Sequence, residues 1–177
     1  MRRALVASSL LFAVLAAMPM QTAFGVGPIR EQVRPVDGVS GDFIIPVGDP
    51  VGGCSFDVLV EFEFHGVDWQ FSDGRVVTNN VATQTLTNLE TGTSYVHRSD
   101  YHLTDELSAD GNALLVIDGK FFIGFAEGDQ GPEGEVGPGG AMFFITGHFE
   151  AVYDPETFLV ASWEGNGRAV EVCQLLA

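Results

Sequence analysis

From residue 54 onward the chain alternates with period two: Cys54, Phe56, Val58, Val60, Phe62 and Phe64 take one parity, and Ser55, Asp57, Glu61 and Glu63 the other. Such alternation marks a β-strand with one buried face. Trp69, Gln70 and Phe71 follow, and Ser72-Asp73-Gly74 then gives a strong hairpin signal. Residues 75–87 are rich in Val and Thr and read as the next strand. The turn Asn88-Leu89-Glu90-Thr91-Gly92 leads to a strand over 93–103. Residues 104–112 are polar, fit a single helical turn, and end in Asp110-Gly111-Asn112. Segments 113–117 and 120–125 predict a third hairpin about Asp118-Gly119. Segments 142–153 and 158–163 flank the turn at Asp154-Pro155, and 167–176 closes the chain as a strand.

About eight short strands with turn chemistry between them, and no amphipathic helix, predict an all-β antiparallel barrel, with a Greek-key β-sandwich as the alternative. The β-barrel domain is assigned to residues 54–177. Residues 26–53 hold Pro28, Pro35, Pro46 and Pro50 with several Gly, and read as an extended N-terminal arm laid along an edge. Residues 1–25 have the layout of a secretory signal peptide: Arg2 and Arg3, an uncharged stretch from Ala4 to Ala17, and the small-x-small site Ala23-Phe24-Gly25. The expected product is a soluble, secreted, extracellular protein with no membrane attachment after cleavage.

Export changes the meaning of the two cysteines. In an oxidising compartment Cys54 and Cys173 read as one disulfide, closing a loop of about 120 residues that stabilises by about 4–5 kcal/mol on chain-entropy grounds. A bond between the first and last strands suits a meander that closes on itself. One conflict arises: Cys54 shares a face with Phe56 and Val58, whereas Cys173 shares one with Ala169 and Glu171, so a bulge or frayed end must intervene.

The whole chain carries a net charge of −16. Without Arg2 and Arg3, six Lys and Arg stand against 24 Asp and Glu, a net charge of −18. That balance excludes nucleic acid and anionic lipid surfaces as partners, since both require Lys and Arg to neutralise phosphate.

The Cys-led alternating strand, Phe71-Ser72-Asp73-Gly74-Arg75, residues 85–92 from Thr85 to Gly92, and a final Cys near the terminus resemble small exported proteins of Gram-positive bacteria with no assigned activity. The implied shape is similar to lipocalin-like and allene-oxide-cyclase-like barrels. The resemblance covers residues 54–177 and carries over no functional residues.

Candidate chemistry is sparse. Residues 128–139 form four Gly-X-Y triplets, read as a long mobile loop; Glu127, Asp129, Glu133 and Glu135 offer oxygen ligands to calcium but lack the spacing of a calcium loop. His148 and Glu150 share a strand face that points to solvent, without a third ligand for zinc. Tyr95, His97, Ser99 and Tyr101 share one face of a strand, and turned inward they would place two phenols and an imidazole in a barrel interior. The competing reading is an edge strand with two wet faces. No metal and no cofactor is expected, and hydrolytic nucleophile motifs are absent.

Three functions are compatible with these features. The first is a non-catalytic barrel binding a small apolar ligand among Phe56, Val58, Val60, Phe62, Phe121 and Phe143, with Tyr95, His97 and Tyr101 as its polar patch. The second is a secreted structural or interaction protein with a solid core. The third is a cyclase- or isomerase-type enzyme using the same cavity. An interior filled by Phe argues against the first and third together.

Overall fold

A computed structural model describes residues 30–108 and 110–177, so the expected leader 1–25 lies outside the described residues. The described residues are all-β apart from one five-residue helix. Its strands are β1 (Arg30–Ile45), β2 (Val58–Phe71), β3 (Val76–Asn88), β4 (Ser94–Leu107), β5 (Ala113–Phe125), β6 (Gln130–Gly131), β7 (Gly134–Glu135), β8 (Ala141–Tyr153) and β9 (Val160–Glu171), and the helix is α1 (Val172–Leu176). Seven strands form one antiparallel sheet in the order β1-β2-β3-β4-β5-β8-β9, while β6 and β7 pair with each other.

The sheet order leaves β1 and β9 as edges, so the sheet is not closed into a barrel. Its curl comes instead from a split between neighbours. β5 pairs with β8 along its whole length, but β4 pairs with β5 only where Asp100–Leu107 meets Ala113–Lys120. Residues 94–99 of β4 and 121–125 of β5 therefore separate, and the β2–β3–β4 end of the sheet folds over the far face of β5 and β8. Two cores result. On one face Leu115, Ile117, Phe121 and Ile123 of β5 pack with Phe143, Ile145 and Phe149 of β8, flanked by Tyr101 and Trp163. On the opposite face Phe122, Met142 and Phe144 pack with Phe56, Val58, Val60 and Leu86 and with Val172 and Leu176 of α1. Seven long strands bury both sides of their central ribbon in this way without closure.

Several local expectations change. Asp118-Gly119 is no turn: β5 runs through it, with Gly119 paired to Gly147 of β8. Both glycines have positive φ, +119° and +137°, and a Cβ on either would lie within 2.3 Å of a carbonyl oxygen on the next strand. The pair kinks the ribbon where its outward face passes from wet (Asp118, His148) to buried (Phe122, Phe144). Residues 104–107 continue β4 in place of a helical turn, because Asp105 pairs with Val76 on one side and Leu115 on the other. The segment 26–53 supplies β1, a sixteen-residue edge strand hydrogen-bonded along β2 with two register shifts.

The disulfide Cys54–Cys173 is formed, with Cα atoms 5.3 Å apart. Its parity conflict disappears because neither cysteine lies in a strand: Cys54 precedes β2 and Cys173 is in α1. The Gly-X-Y segment is an ordered hairpin. Asp129 is buried; its carboxylate accepts from the amides of Ala126 and Val160 at 2.6 and 2.8 Å, and Val136 fills the first core. That carboxylate is committed to backbone amides, which removes the central member of the calcium set. Among the described residues no helix is long and apolar enough to cross a membrane.

Candidate functional site

The residues expected to line one ligand cavity are divided between the two cores. Phe56, Val58 and Val60 belong to the α1 side, and Phe121 and Phe143 to the other. All five are under 10% exposed. Phe62 is half-buried against Phe43 and Phe64, ring centroids 6.1 and 4.8 Å away. The polar trio is divided as well. His97 stacks on Phe144 at 4.0 Å, with Tyr95 on the same ring at 5.3 Å, whereas Tyr101 meets Phe121 edge-on at 4.5 Å. The strand carrying them is doubly paired only from Asp100 onward: Tyr101 has partners on both sides, whereas Tyr95, His97 and Ser99 lie on the stretch of β4 paired to β3 alone, whose inward face is buried at His97 and Ser99.

His97 is 8% exposed and its Nε2 has no hydrogen-bond partner. Burial, aided by the nearby Lys120 ammonium, pushes its pKa down to about 4, so the ring is neutral and apolar in behaviour at pH 7. Beside it Ser99 donates to Gln84 Oε1 at 3.0 Å, a buried and self-satisfied pair. Tyr101 accepts from Asn80 Nδ2 at 2.9 Å, and burial raises its pKa. These groups are packed as core members, with the His97 Nε2 the unpartnered atom among them.

Side chains free to meet another molecule lie on the outward face of β3, β4, β5, β8 and β9. Strand register sets Asn79, His102, Asp118, His148 and Asn166 in one row across five strands. A second row holds Val81, Asp100, Lys120, Thr146 and Arg168. Directly opposite side chains in such rows are about 5 Å apart at Cβ. Two adjoining grooves run along them. One, of about 370 Å³, is lined by His65, Asn79, Asn80, Val81, Asp100, Tyr101, His102 and Asp118. The other, of about 430 Å³, is bounded by Arg98, Asp100, Lys120 and Thr146, with Gly119 and Gly147 in its floor.

The first row is hydrogen-bonded internally. His102 Nδ1 and Asn79 Oδ1 lie 2.9 Å apart, and His148 bridges Asp118 Oδ1 through Nδ1 at 2.7 Å and Glu150 Oε1 through Nε2 at 3.2 Å. The hydrogen bond to Asp118, and then that to Glu150, raises the His148 pKa above its ordinary value. Glu150 points to solvent, as its strand parity implies. Among the described residues no group of three or more His, Cys, Asp or Glu is gathered to hold a metal ion.

No protein-family model, curated protein or solved structure matches the chain. The likeness to small exported barrels therefore stands on strand and turn pattern alone, and the site has to be read from its own geometry. His102, Asp118 and Lys120 did not emerge from the sequence, because each looks like an isolated surface residue until register aligns it with its neighbours. The one local signal was polarity at every second position of 98–102 and of 118–120.

Proposed function

We propose that this chain is an exported, non-catalytic recognition domain whose working surface is the polar outer face of the sheet rather than an internal cavity. One observation carries the reading: the grooves lie on that face, lined by amide, carboxylate, imidazole and hydroxyl groups, while the apolar candidates are packed into two separate cores. Side chains of this inventory pair with ligand hydroxyls and amides as both donors and acceptors. Apart from Arg98, they stand on strand segments paired on both sides, so little ordering is lost on binding. The signal-like leader and the disulfide support export. With His97 packed in the core and Tyr101 in another cluster, the acid–base trio that a cyclase would need is not assembled, which weighs against the enzymatic reading.

The test is an array of soluble saccharides and short peptides probed with the disulfide-bonded protein and with Asn79→Ala/His102→Ala/Asp118→Ala. Binding by the parent that falls at least tenfold in the variant, with thermal midpoints within a few degrees, supports the reading. An apolar adduct on the native protein, released only by unfolding, would favour the internal-ligand alternative.

A further inference from the structure

The chain has one lysine, Lys120, which lies opposite Asp100 of β4 and shares its face with Asp118 two residues earlier. It projects from β5 on the outer face, opposite Thr146 of β8, which in turn faces Arg168 of β9. Arg98 is two residues before Asp100, the β4 partner of Lys120, and therefore lies diagonally across from it on the same face. Arg98, Lys120, Thr146 and Arg168 are all exposed. Three of the six cationic side chains beyond the leader thus gather over four adjacent strands, in a chain where carboxylates outnumber cations threefold.

These cations are also unspent. The ion pairs among the described residues are His65–Glu63, Arg75–Asp73, and His148 with Asp118 and Glu150. Arg98, Lys120 and Arg168 take part in none of them, and Asp100, the carboxylate in the same groove, is equally unpaired. Gly119 and Gly147 line the groove between β5 and β8, where no side chain rises to fill it, while the Asp100 side chain stands next to Arg98 and opposite Lys120 on the β4 side. Two cationic side chains against one carboxylate, Asp100, with a threonine hydroxyl and a glycine floor, leave a net positive groove of a size for a small tetrahedral or planar oxyanion.

We propose that the groove bounded by Arg98, Lys120 and Thr146 binds the oxyanion group of a soluble ligand: a carboxylate, sulfate or phosphate. The proposal rests on the reading of the outer face as the recognition surface, and it assigns the charged end of the ligand to this groove and its neutral end to the adjoining groove at Asn79 and His102. The net charge of −16 does not oppose it at short range. Fixed charges act over a Debye length of about 10 Å at 0.1 M salt, so a single oxyanion in the groove feels Arg98, Lys120 and Asp100 first, two positive charges against one negative, while an extended polyanion meets the acidic remainder.

The experiment is amide NMR of the ¹⁵N-labelled, disulfide-bonded protein, titrated with sodium sulfate, phosphate or acetate against sodium chloride at constant ionic strength. Saturable shifts are expected at Gly119, Lys120, Thr146 and Gly147 with the oxyanions and not with chloride. Lys120→Gln should abolish saturation, Arg98→Gln should weaken it at least fivefold, and Arg75→Gln, whose residue pairs with Asp73 on the β2–β3 turn, should leave it unchanged. Shifts that do not saturate, that chloride reproduces, or that survive Lys120→Gln overturn the proposal. Array binding that depends on Asn79 and His102 without any oxyanion saturation would overturn this inference alone. Oxyanion saturation with no array ligand would support it, and would instead count against the wider reading of the face.

Discussion

Asn88, at the end of β3, donates from Nδ2 to the carbonyl of Leu176, 88 residues later and one residue from the C-terminus, at 3.0 Å. The other end of the same amide is equally occupied: Oδ1 accepts from the amides of Glu90 and Thr91 and so shapes the β3–β4 turn. Asn88 is 1% exposed. One buried side chain thereby joins a hairpin turn to the C-terminal helix. Asn88→Ala orphans three backbone groups, and we expect a loss of about 2–3 kcal/mol, measured by urea unfolding with an unchanged slope. Asn88→Asp keeps the turn bonds and fails only at Leu176, so its loss should arise from the helix contact and fall on α1 in hydrogen exchange.

The disulfide holds the same helix from its other side. Cys173 is joined to Cys54 across a separation of 119 residues, and Val172 and Leu176 beside it are buried. Cys54→Ser/Cys173→Ser should cost about 4 kcal/mol on loop-entropy grounds. The checking measurement is the denaturation midpoint of this double variant against the oxidised parent. A change below about 1 kcal/mol would mean that the packing of Val172 and Leu176 already restrains the chain end.

Much of this was legible in the sequence, and the failures share a cause. Alternation placed β2, Val and Thr richness placed β3, parity placed β8, and turn residues placed Ser72-Asp73-Gly74 and Asp154-Pro155, because those signals are local. The expected strands 158–163 and 167–176 are instead one strand, β9, running unbroken from Val160 to Glu171, with 172–176 helical. Asp118-Gly119 misled for the opposite reason. The same dipeptide serves as a hairpin turn or as a mid-strand kink, and only its partner Gly147, 28 residues on, decides. The two cores were not legible either. Parity sorts Phe121 from Phe122 correctly, but which side is buried, or that both are, depends on β4 leaving β5 after Lys120. The polar rows are a still longer-range property, requiring four registers at once.

His97 makes the fold sensitive to acid. Its pKa of about 4 in the folded chain lies below the ordinary imidazole value of 6.5. The unfolded chain therefore binds the proton first, and stability present above about pH 6.5 is lost as pH falls through that value toward 4. The shift bounds the loss at about 3 kcal/mol. His97→Phe retains the stack on Phe144 and removes both the titration and the unpartnered Nε2. Its thermal midpoint should equal or exceed the parent's at pH 7, and the advantage should grow on going to pH 4.5. An advantage that is constant with pH would show that His97 is not the titrating group.

Asp105 and Tyr153 form the buried polar pair of the first core, with the phenol donating to Oδ2 at 2.9 Å. Burial raises the Asp105 pKa, and the Tyr153 hydrogen bond opposes that rise; the tyrosine is itself pushed up by burial and by the carboxylate. Tyr153→Phe removes the donor and should cost about 1–3 kcal/mol at pH 7. Since the carboxyl then titrates higher still, the deficit should shrink as pH falls and the group protonates in the fold. Asp105→Leu combined with Tyr153→Phe should recover part of the loss, because no charge is left buried. Chemical denaturation at pH 7 and pH 5 separates these outcomes.

On the outer face the sign of pH dependence is reversed. His148 sits between Asp118 and Glu150, and both hydrogen bonds favour the imidazolium, so its folded pKa lies above the ordinary value. Whatever this adds to stability is fully present below about pH 6.5 and disappears as pH rises through the raised value. Proton NMR of the ring C–H signals should find His148 titrating above 6.5. Asp118→Asn should lower that midpoint more than Glu150→Gln, because the Asp118 contact is the shorter one and the larger cause. A midpoint unmoved by either variant would mean that the imidazole is solvated and the His148–Asp118 contact is not kept in solution. A preformed row matters for recognition: if His148 holds Asp118 in place, Asp118 meets a ligand with one oxygen already fixed, and binding at the adjoining groove should weaken as the pH passes the His148 midpoint.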